Sequence, residues 1–273
     1  MIAIVTGASS GIGREFVRQL DAGGEVDGFW LIARRRERLE ELAATLAHPC
    51  RILSADLSTD GGLTAVEQAL LAERPEVRVF VSGAGYGRFG NALELSAADT
   101  AGMIDLNVRA AVLLTRMILP YMMRGGYIIQ LGSGSCFTPL PNFAVYAAGK
   151  SFILHYSKAL AREVRPRGIT VTCFCPGWVD TEFLGLATWD ESVSGPRKTA
   201  FRPMLRADRV VRKALRDARR GRVMSVTNWY TKLQHLLFKL LPDGILTSIW
   251  MRMQKPMPEN DEKDRENTQG DTQ

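Results

Sequence analysis

The chain has few of the residues that staple small or secreted domains together. Its 273 residues include four cysteines and three histidines. Cys50, Cys136, Cys173 and Cys175 form no C-x-x-C pair, and three histidines cannot complete a ligand set, so no metal site is expected. Cys173 and Cys175 are two apart in a β-like run and share one strand face. All four are read as free thiols of a reducing compartment. No apolar run is long enough to span a bilayer. The sequence opens on the strand-like Met1-Ile2-Ala3-Ile4-Val5, without basic leader or cleavage site, so a cytoplasmic location is expected. Charge of one sign is also scarce: 35 Lys and Arg against 29 Asp and Glu leave +6. Much of this excess lies in 197–222. That stretch reads as a solvated basic face, with an anionic ligand or an acidic membrane surface as the sharper alternative. Aromatic residues are not interleaved with those charges, so no nucleic-acid partner is expected.

What is present is the composition of a globular protein, 46% hydrophobic and 23% charged. Short apolar runs at 2–6, 29–33, 51–54, 78–82, 127–131, 170–174 and 223–226 read as strands covered on both faces. Helical patterns at 13–22, 37–47, 61–73, 99–124, 143–164 and 208–220 separate them. This alternation predicts right-handed βαβ crossovers and an α/β fold with a doubly wound, Rossmann-like parallel sheet. The main domain is placed at 1–228. It includes a long segment, 176–207, whose Trp178, Phe183, Leu184, Leu186 and Trp189 suggest a lid over a site. A Leu-rich helical extension follows at 229–256. Its apolar stripe fits packing on the domain or a second subunit, with peripheral membrane contact as the alternative. The polar tail 257–273 is expected to be disordered.

Three motifs carry chemistry. Thr6-Gly7-Ala8-Ser9-Ser10-Gly11-Ile12-Gly13 lies at the first βα junction, where glycines admit a pyrophosphate and a helix N-terminus offers free N–H groups. Arg34-Arg35-Arg36 follows the second strand. An acid there would take a ribose 2′-hydroxyl, whereas arginine suits a 2′-phosphate, and Ala33 stands where an acid would be expected. Three cations at a helix start otherwise oppose its dipole, which favours a bound anion over a solvated turn. In Tyr146-Ala147-Ala148-Gly149-Lys150, residues four apart share one helix face, so the ammonium is expected to lower the phenol pKa. A surface pair at this spacing is the plain alternative.

Together with Asp56-Leu57, Ala84-Gly85, Asn107, Ser133 and Pro176-Gly177, in that order, these stretches make residues 1 to 226 resemble the short-chain dehydrogenase/reductase family. The resemblance implies an NADP(H)-dependent oxidoreductase acting on a small-molecule carbonyl or alcohol. Tyr146 would be the acid/base, and Lys150 would bind the nicotinamide ribose and lower the Tyr146 pKa. Ser133 would bond the substrate oxygen, and Asn107 would hold a helix distortion and a water relaying protons to Lys150. Gly7, Ser9, Ser10, Gly11, Ile12 and Gly13 would cradle phosphates and ribose, Arg34 and Arg35 the 2′-phosphate, and Asp56 and Leu57 the adenine. Ala84 and Gly85 would approach the cofactor, and Pro176, Gly177, Val179 and Thr181 would meet the nicotinamide. The family also implies a homodimer or homotetramer through helices 99–124 and 143–164.

Two features depart from the pattern. Ser82-Gly83-Ala84-Gly85 replaces the family's Asn-Asn-Ala-Gly, so Gly83 is expected to loosen that strand end. Ser135 is a second hydroxyl near Ser133, which is preferred for its spacing to Tyr146. Cys136 is a possible pocket residue, His155 a packing or subunit-interface residue, and Asp180 and Glu182 are expected to be exposed loop charges. The apolar lid points to a hydrophobic substrate such as a steroid, a lipid-like ketone or an acyl derivative. A dinucleotide sensor that keeps the fold without turnover is the alternative.

Overall fold

Strand by strand, alternate residues point to opposite faces of one sheet, and helices cover both. The computed structural model describes residues 1–183, 204–227, 232–233 and 240–254. The strands are β1 (Ile2–Thr6), β2 (Phe29–Ala33), β3 (Cys50–Ser54), β4 (Val77–Ser82), β5 (Met122–Leu131), β6 (Thr170–Cys175) and β7 (Met224–Val226). They pair in parallel in the order β3-β2-β1-β4-β5-β6-β7. This is the predicted doubly wound sheet. Its order reverses between β1 and β4, which opens a crevice beyond their carboxyl ends.

The helices are α1 (Gly11–Gly23), α2 (Arg36–Ala43), α3 (Asp60–Glu73), α4 (Ala97–Ile104), α5 (Ala111–Ile118), α6 (Ala144–Glu163), α7 (Ala207–Arg219) and α8 (Asp243–Arg252). On one face Ala3, Val5, Leu31, Val79 and Val81 pack with Phe16, Val17 and Leu20 of α1, Leu39 and Leu42 of α2 and Val211 and Leu215 of α7. On the other, Ile4, Ile32 and Phe80 meet Val66 and Leu70 of α3, Leu114 and Ile118 of α5 and Leu160 of α6. Each Val, Leu, Ile or Phe among them, fully buried, contributes on the order of 1.5–3 kcal/mol.

The expected helix 99–124 is instead three pieces. α4 runs into a π-helical turn, Asp105–Ala110, then α5. Pro120 ends the run in a 3₁₀ turn, Leu119–Tyr121, because proline lacks the N–H that would continue the ladder. β5 accordingly starts at Met122 rather than 127. It bends at Gly125, whose φ is +80°, a left-handed conformation that suits glycine, and the register against β4 shifts there.

α8 returns to the crevice. Trp250 Nε1 donates to the Pro141 carbonyl at 2.8 Å, Gln254 Nε2 donates to the same carbonyl at 3.1 Å, and Asn142 Nδ2 donates to Gln254 Oε1 at 2.8 Å. Part of the extension therefore packs on the main domain, against the loop before α6. Of the lid segment, 184–203 lies outside the described residues, as does the tail expected to be disordered. In the described part of the basic stretch, Arg206 pairs with Asp208, Lys213 and Arg222 with Asp217, and Arg219 with Glu25. Among the described residues no helix is long and apolar enough to cross a membrane, and no cluster of potential ligands could hold a metal.

Candidate active site

The first βα turn is built by close approach. Gly7 has φ +70°, and a Cβ there would stand 2.8 Å from the Gly83 carbonyl oxygen. A Cβ on Gly13 would stand 2.3 Å from the Gly7 carbonyl oxygen. Ser10 is the N-cap of α1 but makes no side-chain cap bond, and no acid lies in the first turn. The leading N–H groups of α1 thus keep their positive end toward the crevice, as an anion site requires. The expectation that Gly83 loosens the neighbouring strand end is not met. The Thr6 hydroxyl accepts from Gly83 N at 3.0 Å and Ala84 N at 3.1 Å, which ties this strand end to β1. Gly83 is also packed tightly, since its Cβ would lie 2.7 Å from the Thr6 carbonyl.

At the end of β2 the three arginines separate. Arg36 pairs with Glu40 along α2, and Arg34 lies 4.0 Å from Asp56. Arg35 turns to the glycine turn, donating to Ser9 Oγ at 3.2 Å and Ser10 Oγ at 2.8 Å. It also pairs with Glu182, as does Arg38; Glu182 is exposed, as expected from sequence, and is held by two cations. The guanidiniums of Arg38 and Arg35 hold that carboxyl below the ordinary glutamate range. Burial works against ionisation of Asp56, but two bonds from Ser58 and the charge of Arg34 outweigh it and hold its pKa low.

Tyr146 and Lys150 project from one face of α6, and both are buried. Tyr146 lines one cavity together with Ser133, the serine preferred over Ser135. The Ser135 N–H donates to Ser133 Oγ at 3.2 Å and orients it. Lys150 Nζ donates to the Leu131 carbonyl at 2.8 Å and lies over the Tyr146 ring, 5.5 Å from its centroid. Asn107 sits in the π-helical turn, so the expected helix distortion is there. Its amide is engaged at both ends by one residue: Oδ1 accepts from Tyr86 N at 3.1 Å and Nδ2 donates to Tyr86 O at 2.7 Å. Gly85 must be glycine for this, because a Cβ would stand 2.4 Å from Asn107 Oδ1.

The electrostatics correct one expectation. Burial pushes the Tyr146 phenol above its ordinary value; the nearby Ser133 hydroxyl opposes that, and the ammonium does not reverse it. Burial also pulls Lys150 down to about 8 from an ordinary 10.5, with the Cys173, Cys136 and Cys175 thiols resisting the shift. Between those values the unfolded chain carries a proton that the folded chain lacks, so this group makes stability rise with pH across that window. Below pH 8 folding bears the cost of a buried charge. Lys150→Met keeps the side-chain length without the charge. It should stabilise the fold at pH 7 by on the order of 2–3 kcal/mol, and the gain should shrink as pH climbs past 8. Urea unfolding at pH 7 and pH 9.5 checks this, and an equal gain at both would contradict it.

One cavity of about 640 Å³ joins these parts. It is lined by every residue predicted for the site except Asn107, which stands behind Gly85. Arg35 and the glycine turn lie at one part of the lining, and Ser133, Tyr146 and Lys150 at another. Sequence reasoning missed much of the wall: Tyr86, Leu106, Thr138, Leu140, Phe143, Leu246, Ile249 and Trp250. Phe143, one helical turn before Tyr146 and stacked on it with ring centroids 4.4 Å apart, could have been found by spacing. Cys136 does not line the cavity. It is buried, its Sγ 3.7 Å from that of Cys175. His155 bonds its own helix at the Ser151 carbonyl.

Comparison with known proteins matches residues 1–191 to the family described as short chain dehydrogenase. An oxidoreductase of Staphylococcus epidermidis is 32% identical over 182 residues, 66% of this chain and 78% of that protein. A short-chain dehydrogenase from Sphingobium yanoikuyae, solved in complex with NADPH, is 26% identical. It superposes with a TM-score of 0.73 over 90% of this chain and 95% of that one. A 3-ketoacyl-(acyl-carrier-protein) reductase from Brucella melitensis, solved with NADH, is 25% identical with a TM-score of 0.69, covering 82% of this chain and 95% of that one.

Proposed function

The chain belongs to the short-chain dehydrogenase/reductase family, and we propose that within it the chain is an NADP(H)-dependent oxidoreductase interconverting a ketone or aldehyde and an alcohol on an apolar substrate. The observation that carries this reading is one cavity holding the Tyr146–Ser133 pair beside Lys150 and, elsewhere along its wall, an arginine aimed at a phosphate turn. The glycine cradle and the uncapped α1 N-terminus fit a pyrophosphate. When bound, the nicotinamide supplies or accepts the hydride.

The residues of the chain handle the oxygen. Ser133 orients the substrate oxygen, and Tyr146 gives it a proton in reduction or takes one in oxidation. A phenol raised by burial keeps its proton at neutral pH and so rests in the form that donates in reduction. Lys150 holds ribose hydroxyls and resupplies the proton. Asn107 fixes the Tyr86 backbone beside them and so positions the cavity wall.

NADP(H) is preferred because Arg35, not an acid, stands beside Ser9 and Ser10 at the end of β2. The cofactors seen in the two similar structures differ and do not decide the matter. Arg35→Asp should weaken NADPH binding roughly 10- to 100-fold, the worth of a charge-assisted bond, and leave NADH nearly unchanged. Fluorescence titration with each cofactor measures both, and equal losses would contradict the reading. The substrate class follows from a wall that includes Leu140, Phe143, Trp178, Phe183, Leu246 and Trp250. NADPH consumption across a panel of carbonyls should favour bulky apolar ketones over small polar sugars, and the reverse order would refute it.

A further inference from the structure

The guanidinium that the NADP(H) reading assigns to the adenosine phosphate already faces an anion of the chain itself. Arg35 donates from one nitrogen to Ser9 and Ser10 and from the other to Glu182 Oε2 at 3.1 Å. Arg38 holds both oxygens of the same carboxylate, at 2.7 and 2.6 Å. Glu182 is no neighbour of these arginines in sequence, being 147 residues from Arg35 and 144 from Arg38. It is carried there by the segment that leaves β6. That segment is seated on both sides of it: Thr181 lies beside Gly11, and Phe183 tilts against the Tyr146 ring, centroids 5.7 Å apart. The carboxylate is therefore placed against Arg35 by the fold.

We propose that Glu182 is a cofactor-specificity residue, whose carboxylate competes with the adenosine 2′-phosphate for Arg35. The proposal rests on the reading of Arg35 as the phosphate contact. A 2′-phosphate must displace the carboxylate or share one guanidinium with it, and two anions on one cation repel. A cofactor with a plain 2′-hydroxyl meets no such conflict, because the Arg35–Glu182 pair stays whole and leaves no unmatched charge. Arg38, already bonded to both oxygens, keeps the displaced carboxylate paired. Glu182 thus narrows the preference for NADP(H) and lets NAD(H) be accepted. Both side chains are about half exposed, so the effect is modest.

The test is binding, not turnover. NADPH and NADH are titrated into the full chain, its Glu182→Gln and Arg35→Ala variants and the double variant, with adenosine 2′,5′-bisphosphate and 5′-AMP as probes lacking nicotinamide. Glu182→Gln should tighten NADPH and the bisphosphate roughly three- to fivefold while NADH and 5′-AMP stay within about twofold, and the gain should vanish in the Arg35→Ala background. Equal weakening of both cofactors would make Glu182 a mere strut of the segment and overturn the proposal. A gain that survives loss of Arg35 would overturn it as well. If Arg35→Ala alone leaves the NADPH to NADH ratio unchanged, the NADP(H) reading itself fails and takes this one with it. If Arg35→Ala lowers the ratio and Glu182→Gln does not raise it, only the role of Glu182 fails.

Discussion

Tyr146→Phe should bind NADPH within about twofold of the parent and turn over any accepted ketone roughly 10²- to 10⁴-fold more slowly, the range for loss of a positioned general acid. The substitution removes one oxygen and keeps the ring. That ring is what the fold uses, stacked on Phe143 and tilted against Phe183. The hydroxyl is what the chemistry uses, since Tyr146 lines the cavity together with Ser133 and Lys150. Packing and the cofactor cradle should therefore survive while proton transfer does not. Stopped-flow reduction kinetics beside an NADPH titration separate the two, and a rate above a tenth of the parent's would remove Tyr146 from the role of proton donor. Binding that is intact in parent and variant alike, with neither reducing any carbonyl, would point to the sensor reading.

Gly13→Ala should lose NADPH affinity by roughly 5- to 100-fold and lower the melting temperature by a few degrees. Helix propensity alone argues the opposite, because alanine is better than glycine inside a helix by about 1 kcal/mol. Sterics decide. The new methyl would stand 2.3 Å from the Gly7 carbonyl oxygen and 2.7 Å from its carbon, both backbone atoms of the turn that faces the cavity. That turn cannot give without moving the N–H groups that would meet the pyrophosphate, and overpacking of this kind costs about 1–3 kcal/mol. Gly61→Ala is the internal control. It lies in the first turn of α3 with nothing within 4 Å of its added carbon, so it should be neutral or slightly stabilising. Calorimetric titration of both variants checks the contrast, and parent-like NADPH affinity in Gly13→Ala would show the turn to be slacker than its contacts imply.

Strands such as β1 and β2 were legible because they are continuous apolar runs bounded by turn residues, and a parallel sheet covered on both faces demands that pattern. The Tyr146–Lys150 pair was legible from helical spacing, and the place of Arg35 from its position after β2. Other features leave little local trace. The π-helical turn around Asn107 shifts backbone hydrogen bonds without a change of composition, so the stretch read as uninterrupted helix. Glu182 looked like a loop charge because its partners lie in α2 and just before it, far away in sequence. Trp250 reaches the cavity by a bond to the Pro141 carbonyl, 109 residues distant. The Tyr146 pKa was expected to move the wrong way because spacing reveals a neighbouring charge and hides the burial that outweighs it.

The most direct measurement uses NADPH carrying deuterium at both C4 positions of the nicotinamide, the full chain and a bulky apolar ketone, with the alcohol and the oxidised cofactor analysed by mass spectrometry and NMR. The account predicts one deuterium on the carbinol carbon, delivered from one face of the cofactor only. NADPH that binds yet stays unoxidised with every ketone and aldehyde offered, or an alcohol that carries no deuterium, would contradict it.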